Sequence, residues 1–254
     1  MTKSGPPAGN GASAIKRALL KLSGEGIAGK DGRLDEGMID ALATDLRELL
    51  ADGKEIAIVV GGGNYLRGAK LAGINRAVAD QMGMLATAMN GLALQDVLEQ
   101  KGIPTRVQSA VNIADFCEPF IRRRCIRHLE KKRVVILVAG TGNPFFSTDT
   151  AAALRASEIG ADCLFKATQV DGVYSADPKQ DARAVKFEQL SYRDVIERNL
   201  KVMDTSAVAL CEENHIPIVV FDLHERGNLV RAIRGAKIGT RISDGKPEAS
   251  RKGR

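Results

Sequence analysis

Long hydrophobic runs are missing from this 254-residue sequence. No apolar segment approaches the roughly 18 residues that a membrane-spanning helix requires, so we expect no membrane association. The first residues lack the basic start and apolar block of a secretory signal peptide, which predicts a cytoplasmic protein. Charged residues make up 27% of the chain and hydrophobic residues 44%, as in ordinary soluble globular proteins.

Closely spaced cysteines are missing too. The four cysteines are scattered without a Cys-x-x-Cys pair, and the three histidines lie far from them in sequence. Their positions are Cys117, Cys125, Cys163, Cys211, His128, His215 and His224. This spacing favours reduced, buried thiols over disulfides or a zinc motif. We therefore predict no metal site built from these residues.

A concentrated basic face is also lacking. The net charge is +6, of which residues 1–14 carry +1 and residues 243–254 carry +2. The remaining body, at +3, suits a small anionic ligand better than a nucleic-acid track, so we expect no nucleic-acid partner. The basic run at residues 122–133 has two interpretations, the solvated side of a helix or an interface or effector surface.

Several catalytic signatures are absent. The chain has no Gly-x-x-x-x-Gly-Lys-[Ser/Thr] loop, no His-Arg-Asp and Asp-Phe-Gly pair, and no evident Ser/His/Asp or Cys/His arrangement. A formal Gly-x-Gly-x-x-Gly match begins at Gly24, but a second turn follows it at residues 30–33. That fingerprint needs a helix there, and we expect the helix only near Asp35 or Glu36, so the match is rejected.

Strand-like and helix-like segments alternate along nearly the whole chain. Apolar runs that end near Leu22, Val60, Val138 and Thr168 predict buried strands, and apolar residues at helical spacing predict an amphipathic helix over residues 36–51. The alternation predicts an α/β fold with a mostly parallel central sheet and helices on both faces.

No linker interrupts this alternation between residues 15 and 242, so we expect one catalytic domain there. Residues 1–14 are rich in Gly, Pro, Ser and Asn and predict a disordered tail. Residues 243–254 predict a mobile basic tail. In parallel sheets of this kind, ligands bind outside the carboxyl ends of the strands.

The longest Gly-rich turn follows the strand that ends at Val138. It runs from Gly140 to Asp149, and an alanine-rich helix begins behind it. A strand that leads through such a turn into a helix offers converging N–H groups to an anion. Phe145 and Phe146 are unexpected in so polar a turn. Either they offer a flat apolar surface to a ligand, or they are tucked into the core of a plain strand-to-helix connection.

Other strand ends carry cations or glycines. Lys21 and Lys166 lie where strands end, and Gly61–Gly63 follows a buried strand with Arg67 four residues later. Consecutive glycines let a ligand approach the backbone, and an arginine can clamp a phosphate, although a purely structural turn is the alternative. Asp80 is a carboxylate in a largely apolar helix, so it is either paired or a ligand group.

Cations, carboxylates and Gly-rich turns together suit phosphoryl transfer, which depends mostly on positioning and charge neutralisation. The predicted catalytic residues are Lys21, Arg67, Lys166, Asp149 and Asp204. The carboxylates among the candidate residues could hold Mg²⁺, or they could position a cation or sugar hydroxyls.

Six motifs, in this order, resemble those of the bacterial uridylate (UMP) kinases, members of the amino acid kinase family. The motifs are Lys21-Leu-Ser-Gly24, Gly61-Gly-Gly-Asn-x-x-Arg67-Gly68, Asp80-x-Met-Gly-Met-Leu-Ala-Thr87, Gly140-Thr-Gly-Asn-Pro-Phe-Phe-Ser-Thr-Asp149, Lys166-Ala-Thr-x-Val-Asp-Gly-Val-Tyr-x-Ala-Asp-Pro178 and Leu200-Lys-Val-Met-Asp204. The resemblance covers about residues 15–242.

This resemblance implies transfer of the ATP γ-phosphate to UMP, with Mg²⁺ held mainly by the nucleotide phosphates rather than by a protein metal site. The residues that match the family's ATP contacts are Lys21, Leu22, Ser23, Gly24, Gly63, Arg67, Thr168, Tyr174 and Asp177. The residues that match its UMP contacts are Gly62, Asp80, Thr141, Gly142, Asn143, Pro144, Phe145, Phe146, Ser147 and Thr148.

The resemblance further implies a homohexamer that GTP activates and UTP inhibits, and residues 26–33 and 122–133 are segments in which to test that control. Two alternatives remain: a sister amino acid kinase with another acceptor, and a non-catalytic nucleotide- or oxyanion-binding relative similar to the molybdate storage proteins. The Gly-Asn-Pro-Phe-Phe turn argues against the first, and the joint presence of Lys21, Arg67 and Lys166 argues against the second.

Overall fold

The computed structural model describes residues 15–66, 73–178, 180, 181 and 183–245. The predicted N-terminal tail, Arg67 and all but the start of the predicted C-terminal tail lie outside the described residues. None of the described helices is both long enough and apolar enough to cross a membrane.

Within these residues the chain forms eleven strands and seven helices. The strands are β1 (Arg17–Leu22), β2 (Glu55–Val60), β3 (Thr105–Ser109), β4 (Glu118–Pro119), β5 (Val134–Val138), β6 (Cys163–Thr168), β7 (Val173–Tyr174), β8 (Lys186–Phe187), β9 (Gln189–Leu190), β10 (Ile218–Asp222) and β11 (Thr240–Ile242). The helices are α1 (Glu36–Ala51), α2 (Arg76–Gln100), α3 (Arg122–Glu130), α4 (Thr148–Ile159), α5 (Tyr192–Glu197), α6 (Thr205–Glu213) and α7 (Asn228–Ile233).

Nine strands form one central sheet in the order β4-β3-β5-β2-β1-β6-β10-β11-β9. Its neighbouring strands run parallel, except for the antiparallel pair β10 and β11. Strands β7 and β8 form a separate antiparallel hairpin. The prediction of a mostly parallel sheet is therefore confirmed.

Side chains of the central strands alternate between two apolar layers. In β1, Leu20 and Leu22 pack into the layer that contains residues of α1, α2 and α7, whereas Leu19 packs into the layer that contains residues of α3, α4 and α6. Both faces of the strand are therefore buried, which explains its nearly continuous apolar sequence. The prediction of helices on both faces is confirmed as well.

The order of the strands reverses at β1. Strands β2, β5, β3 and β4 lie on one side of β1, and β6, β10, β11 and β9, which follow them in the chain, lie on the other. Connections that leave two adjacent parallel strands in opposite directions open a crevice at the strands' carboxyl ends, where ligands bind. The boundary between β1 and β6 is such a point, and it places Lys21 directly beside Lys166 in the register of the two strands.

The start of the first helix agrees with the sequence prediction. The first helix begins at Glu36 with Asp35 as its cap, which confirms the rejection of the dinucleotide fingerprint. Helix α3 of the basic segment begins at Arg122. The residues before it include β4, where Glu118 precedes a proline, and a residue in that position disfavours helical backbone.

Candidate active site

The centre of the site consists of two lysines that flank one carboxylate, and we call Lys21, Asp149 and Lys166 the charged centre. Lys21 Nζ lies 2.9 Å from Asp149 Oδ1, and Lys166 Nζ lies 2.8 Å from Asp149 Oδ2. The parallel register of β1 and β6 sets the lysines side by side, where two ammonium groups would repel each other. Asp149 bridges them and leaves the group with one net positive charge.

Burial and charge act against each other in the charged centre. Burial by itself raises the pKa of Asp149, but Lys21 and Lys166 together outweigh burial and hold that pKa below its usual range. Burial lowers the pKa of Lys166, and Asp149 offsets part of that effect. Asp149 is therefore an ionised counter-charge at neutral pH and a poor proton acceptor.

Helix α4 brings Asp149 to the lysines. Ser147 caps the helix, and its side chain accepts a hydrogen bond from the N–H of Thr150 at 3.1 Å. Asp149 lies in the first turn, where the helix dipole favours a negative charge. The Thr150 hydroxyl also lies 2.9 Å from that of Ser206 in α6, so the start of α4 is tied to its neighbouring helix.

A cavity of about 400 Å³ opens beside the charged centre. Asp149 and Lys166 line it, together with the connection between α5 and α6, which contributes Lys201 and Asp204. Lys166 also donates a hydrogen bond to the carbonyl of Val202 in this connection. Asp204 precedes α6, but its side chain makes no capping hydrogen bond. In the described part of the chain, no three His, Cys, Asp or Glu side chains are grouped so that they could hold a metal ion.

Residues 139–147 form the β5–α4 loop, which has an unusual backbone. Four of its residues have positive φ: Ala139 at 61°, Gly140 at 60°, Gly142 at 85° and Phe145 at 73°. Phe145 is 68% exposed and Phe146 55% exposed. The alternative in which these phenylalanines are tucked into the core is therefore wrong, and they form an apolar surface at the start of α4.

The remaining residues of this loop form a closed turn. The N–H of Gly142 donates to the carbonyl of Ala139 at 2.9 Å, and the N–H of Asn143 donates to the Thr141 hydroxyl at 3.2 Å. Pro144 follows. Together with Ser147 and Thr148 at the start of α4, these residues are contiguous with the exposed phenylalanines, as the sequence predicts.

Asp80 connects helix α2 to the β5–α4 loop. Its carboxylate accepts hydrogen bonds from Arg76 Nε, 2.9 Å from each oxygen, and from the N–H of Phe145 at 2.8 Å. The sequence left open whether Asp80 is paired or a ligand group. In this structure it is paired, and it also contacts the backbone of the loop predicted to bind a nucleotide.

Packing accounts for two of the glycines that the sequence assigned to ligand approach. A Cβ at Gly62 would lie 2.8 Å from the Cβ of Ala86 in α2. A Cβ at Gly24 would lie 2.4 Å from Asn64 Oδ1 and 2.8 Å from the carbonyl of Gly61. For Gly62 the alternative of a structural turn therefore has direct support, because α2 lies directly against it.

Two asparagines hold these glycine turns together, and one of them, Asn90, was not among the residues predicted from the sequence. Asn90 is fully buried, and its amide donates to the carbonyl of Gly61 and to Asn64 Oδ1, both at 2.7 Å. Asn64 Nδ2 donates in turn to the carbonyl of Gly32 at 2.8 Å. An asparagine among apolar and small residues of a predicted helix was the signal that could have revealed this network.

The predicted ATP contacts lie on several elements: Ser23 and Thr168 lie at the ends of β1 and β6 and line one small pocket, Gly63 follows β2, and Tyr174 lies in β7. The Leu22 side chain is fully buried, so only its backbone is available to a ligand. The Ser23 hydroxyl accepts a hydrogen bond from the N–H of Gly26 at 3.0 Å. Gly63, in the turn after β2, contacts the Glu25 side chain, which lies 3.4 Å from where its Cβ would be.

On the other side of β1, the Thr168 hydroxyl closes the turn after β6 by donating to the carbonyl of Val170 at 2.6 Å. The Tyr174 hydroxyl donates to Asp171 at 2.6 Å. Asp177 is exposed beyond the β7 strand. Roles for these residues in ATP binding stay predictions.

The sequence model of the amino acid kinase family matches residues 16–222. The chain belongs to the amino acid kinase family. The match spans the strands and helices that carry the charged centre, the β5–α4 loop and most of the described sheet.

Solved structures similar to this amino acid kinase family member include two bacterial enzymes. UMP kinase from Bacillus anthracis is 37% identical with a TM-score of 0.88, and the alignment covers 91% of this chain and 97% of that one. UMP kinase from Ureaplasma parvum is 35% identical with a TM-score of 0.84, over 90% and 99% of the two chains. Uridylate kinase from Archaeoglobus fulgidus is 30% identical with a TM-score of 0.67, over 89% and 99%.

Proposed function

We propose that this chain transfers the γ-phosphate of ATP to UMP, giving ADP and UDP. One observation carries the proposal: the exposed Phe145 and Phe146 surface lies in the same loop that leads into α4, whose first turn holds Asp149 against Lys21 and Lys166. A flat apolar surface next to a net positive group suits a planar base that carries a phosphate. The similarity to three uridylate kinases supports UMP as that acceptor.

The chemical step follows from the charges. A phosphate oxygen of UMP attacks the γ-phosphorus of ATP, the bond from that phosphorus to the bridging oxygen breaks, and ADP leaves. The attacking oxygen is already anionic, so no general base is required. Lys21 and Lys166 neutralise the charge on the group in transfer, and Asp149 keeps the two lysines together before the substrates arrive.

Mg²⁺ fits the carboxylates of this site. Asp149 and Asp204 line the same cavity, and carboxylate oxygens together with phosphate oxygens are the ligands that Mg²⁺ prefers. Asp204 would hold the ion together with the phosphates of ATP, since Asp149 is already engaged by two lysines. When bound, the ion supplies positive charge to the phosphates.

The two nucleotides would occupy opposite sides of the charged centre. We assign ATP to the ends of β1 and β6, where Ser23 and Thr168 lie, with Tyr174 of β7 as a further predicted contact, and UMP to the β5–α4 loop and Asp80. Asp80 can accept hydrogen bonds from ribose hydroxyls in addition to the Phe145 N–H, because an ionised carboxylate offers about four acceptor positions.

We further propose that copies of this chain associate through α2, as part of a homohexamer. Val78, Leu85 and Met89 follow one another along the helix at helical spacing and are 46%, 54% and 53% exposed. An apolar stripe of this kind on the surface is typical of an interface. Light scattering on the wild type and on Leu85→Glu tests it: a hexamer for the former and a smaller species for the latter are expected, and a monomeric wild type would contradict the proposal.

Regulation by nucleoside triphosphates, with GTP as activator and UTP as inhibitor, is a separate proposal. Helix α3 presents Arg123 and Arg124 to solvent, and guanidinium groups bind phosphate well. We expect GTP to raise and UTP to lower turnover in the wild type, and an Arg123→Ala/Arg124→Ala double variant to lose the GTP response. Turnover that neither nucleotide changes would contradict this control.

An acceptor screen tests the proposed function. ADP release is measured with ATP and Mg²⁺ in the presence of UMP, CMP, dCMP or TMP, and separately with acetylglutamate or aspartate. We expect ADP release that depends on UMP and is weaker with the other pyrimidine monophosphates. Turnover of acetylglutamate or aspartate without turnover of UMP would indicate a sister kinase, and tight nucleotide binding without any ADP release would indicate a storage protein.

A further inference from the structure

The β5–α4 loop contains two non-glycine residues in the left-handed region of backbone space. Ala139 has a φ of 61° and Phe145 a φ of 73°. Side chains with a Cβ disfavour this region, and such residues persist only where their surroundings hold them. The contacts that hold these two residues therefore determine the shape of the loop.

Helix α2 supplies both contacts. The N–H of Ala139 donates to the Thr87 hydroxyl at 2.7 Å, and the N–H of Phe145 donates to the Asp80 carboxylate at 2.8 Å. Asp80 and Thr87 are seven residues apart, which is about two turns, so they lie on one face of α2. One helix face thus holds the loop at both strained positions.

The contact at Thr87 is needed because the β-ladder stops one residue earlier. Val138 is the last residue of β5 paired with β3, and its carbonyl accepts from the N–H of Ala110 at 3.1 Å. The next N–H, that of Ala139, leaves the sheet in a buried position and finds the Thr87 hydroxyl as its acceptor. A buried N–H without an acceptor would be strongly unfavourable.

The Thr87 hydroxyl is itself fixed in orientation. It donates its own proton to the carbonyl of Met84 at 2.6 Å, which turns its lone pairs toward Ala139. Thr87 is only 6% exposed, so solvent does not compete for these bonds. The carbonyl of Ala139 then accepts from the N–H of Gly142, which closes the turn.

We propose that Thr87 is a positioning residue for the acceptor nucleotide: its hydroxyl sets the backbone of Ala139 and thereby the direction in which the β5–α4 loop leaves the sheet. The expected effect on UMP kinetics rests on the proposed function, whereas the expected effect on the backbone of the loop does not. Thr87 acts through the loop, so its loss changes how UMP is held and leaves the ATP side of the site intact.

Three substitutions test this role. Thr87→Val keeps the shape of the side chain and removes the hydroxyl acceptor, whereas Thr87→Ser keeps the acceptor and removes the methyl group. Thr87→Ala removes both the hydroxyl and the methyl group, and it serves as the second variant should Thr87→Val not fold. We expect kcat/KM for UMP to fall ~30-fold in Thr87→Val and to stay within about threefold of wild type in Thr87→Ser, because small misplacements of a reacting group cost on the order of 10²-fold. The Kd for ATP should not change.

Thr44→Val is the matched control. Thr44 is an exposed helical threonine in α1 whose hydroxyl donates to the carbonyl of Asp40, as Thr87 does to Met84. It has no contact with the β5–α4 loop, so its kinetics should equal those of the wild type. A loss in Thr44→Val as large as in Thr87→Val would overturn the proposal, as would equal losses of UMP and ATP affinity in Thr87→Val.

Hydrogen exchange separates this inference from the proposed function, because it needs no substrate. The peptide that contains residues 139–146 should exchange ~10-fold faster in Thr87→Val than in the wild type, while peptides from β2 stay protected. Thr87→Ser should restore the protection. Unchanged exchange in both Thr87→Val and Thr87→Ala would overturn the positioning role even if UMP is the acceptor. Faster exchange in a protein that does not phosphorylate UMP would preserve the role and refute the proposed function alone.

Discussion

The charged centre and the β5–α4 loop lie side by side at the start of α4, yet different forces hold them. Lys21 and Lys166 project from neighbouring central strands and are fixed by ion pairs to Asp149. The loop carries no charged side chain between Ala139 and Ser147, and two hydrogen bonds from α2 hold it at its strained residues. One region is positioned by the sheet, and the other by a helix packed across it.

This difference suggests that the charged centre and the β5–α4 loop have different roles in the reaction. Ion pairs between the two strand lysines and Asp149 of α4 keep positive charge in one place whichever acceptor is bound, which suits the transfer step itself. A loop of uncharged residues with exposed phenylalanines can instead match the shape of the acceptor. Substitutions in the charged centre should therefore act on kcat or on stability, and substitutions around the loop should act on the KM for UMP.

Lys21→Ala should have the largest effect on turnover. Removing a charge contact in the transition state costs on the order of 3 kcal/mol, so we expect kcat to fall ~100-fold with little change in KM for UMP. Steady-state ADP release measures it. Lys101→Ala is the control, because Lys101 lies at the far end of α2 and pairs with Asp40. A near-normal kcat in Lys21→Ala would remove the charged centre from the mechanism.

Asp149→Asn should lower the free energy of unfolding by about 2 kcal/mol at neutral pH, because two close ammonium groups lose their counter-charge. The folded-state pKa of Asp149 is lowered, so its contribution is present above its usual value of 3.8 and is lost as the pH falls through the lower folded value. The difference in the free energy of unfolding between wild type and variant should therefore become smaller below about pH 4. Urea unfolding at several pH values measures this, and a gap that is independent of pH would argue against the ion pairs.

Asp80→Asn should mainly weaken the binding of UMP. The variant keeps an acceptor for the Phe145 N–H but loses the charge that Arg76 and ribose hydroxyls use, so we expect KM for UMP to rise ~10-fold with the Kd for ATP unchanged. Titrations of both nucleotides measure it. Equal losses for UMP and ATP would show that Asp80 supports the fold rather than the acceptor side.

Phe145→Ala should raise KM for UMP ~5-fold and leave kcat within about twofold, because one aromatic contact with a planar base contributes on the order of 1 kcal/mol. Phe116→Ala provides the comparison, since Phe116 is 73% exposed in a different loop and should have no kinetic role. Equal KM values for UMP in the two variants would show that the exposed phenylalanine surface of the β5–α4 loop does not contact the base.

The smallest effect concerns pH. Burial lowers the pKa of Lys166 from its usual value of 10.5, so its ammonium loses its proton at lower pH than an ordinary lysine. We expect kcat/KM, which reports the free enzyme, to decline on the alkaline side before pH 10.5. A profile that stays flat up to the pH at which exposed lysines titrate would contradict the assignment.

The sequence predicted the charged centre because strand ends can be recognised from local patterns. Lys21 and Lys166 each follow an apolar run, and the alternation of strands and helices indicates that such ends share one edge of a parallel sheet. The capped start of α4 at Ser147 was likewise predictable, since it depends on residues three positions apart.

The sequence did not predict the contacts from α2. Whether Thr87 and Asn90 reach a loop depends on which face of the helix packs on the sheet, and those contacts join residues 52 and 29 positions apart. Local periodicity contains no information about such pairs. The need for glycine at position 62 could not be predicted for the same reason, because it comes from the packing of α2 against the turn.

Product identification by phosphorus NMR tests the central claim most directly. The wild type is incubated with ATP, Mg²⁺ and UMP, and the spectrum is followed over time. We predict that the α- and β-phosphate signals of UDP appear in step with those of ADP while the UMP signal declines. ADP with free phosphate and unchanged UMP, or no change at all, would contradict the proposal that this site phosphorylates UMP.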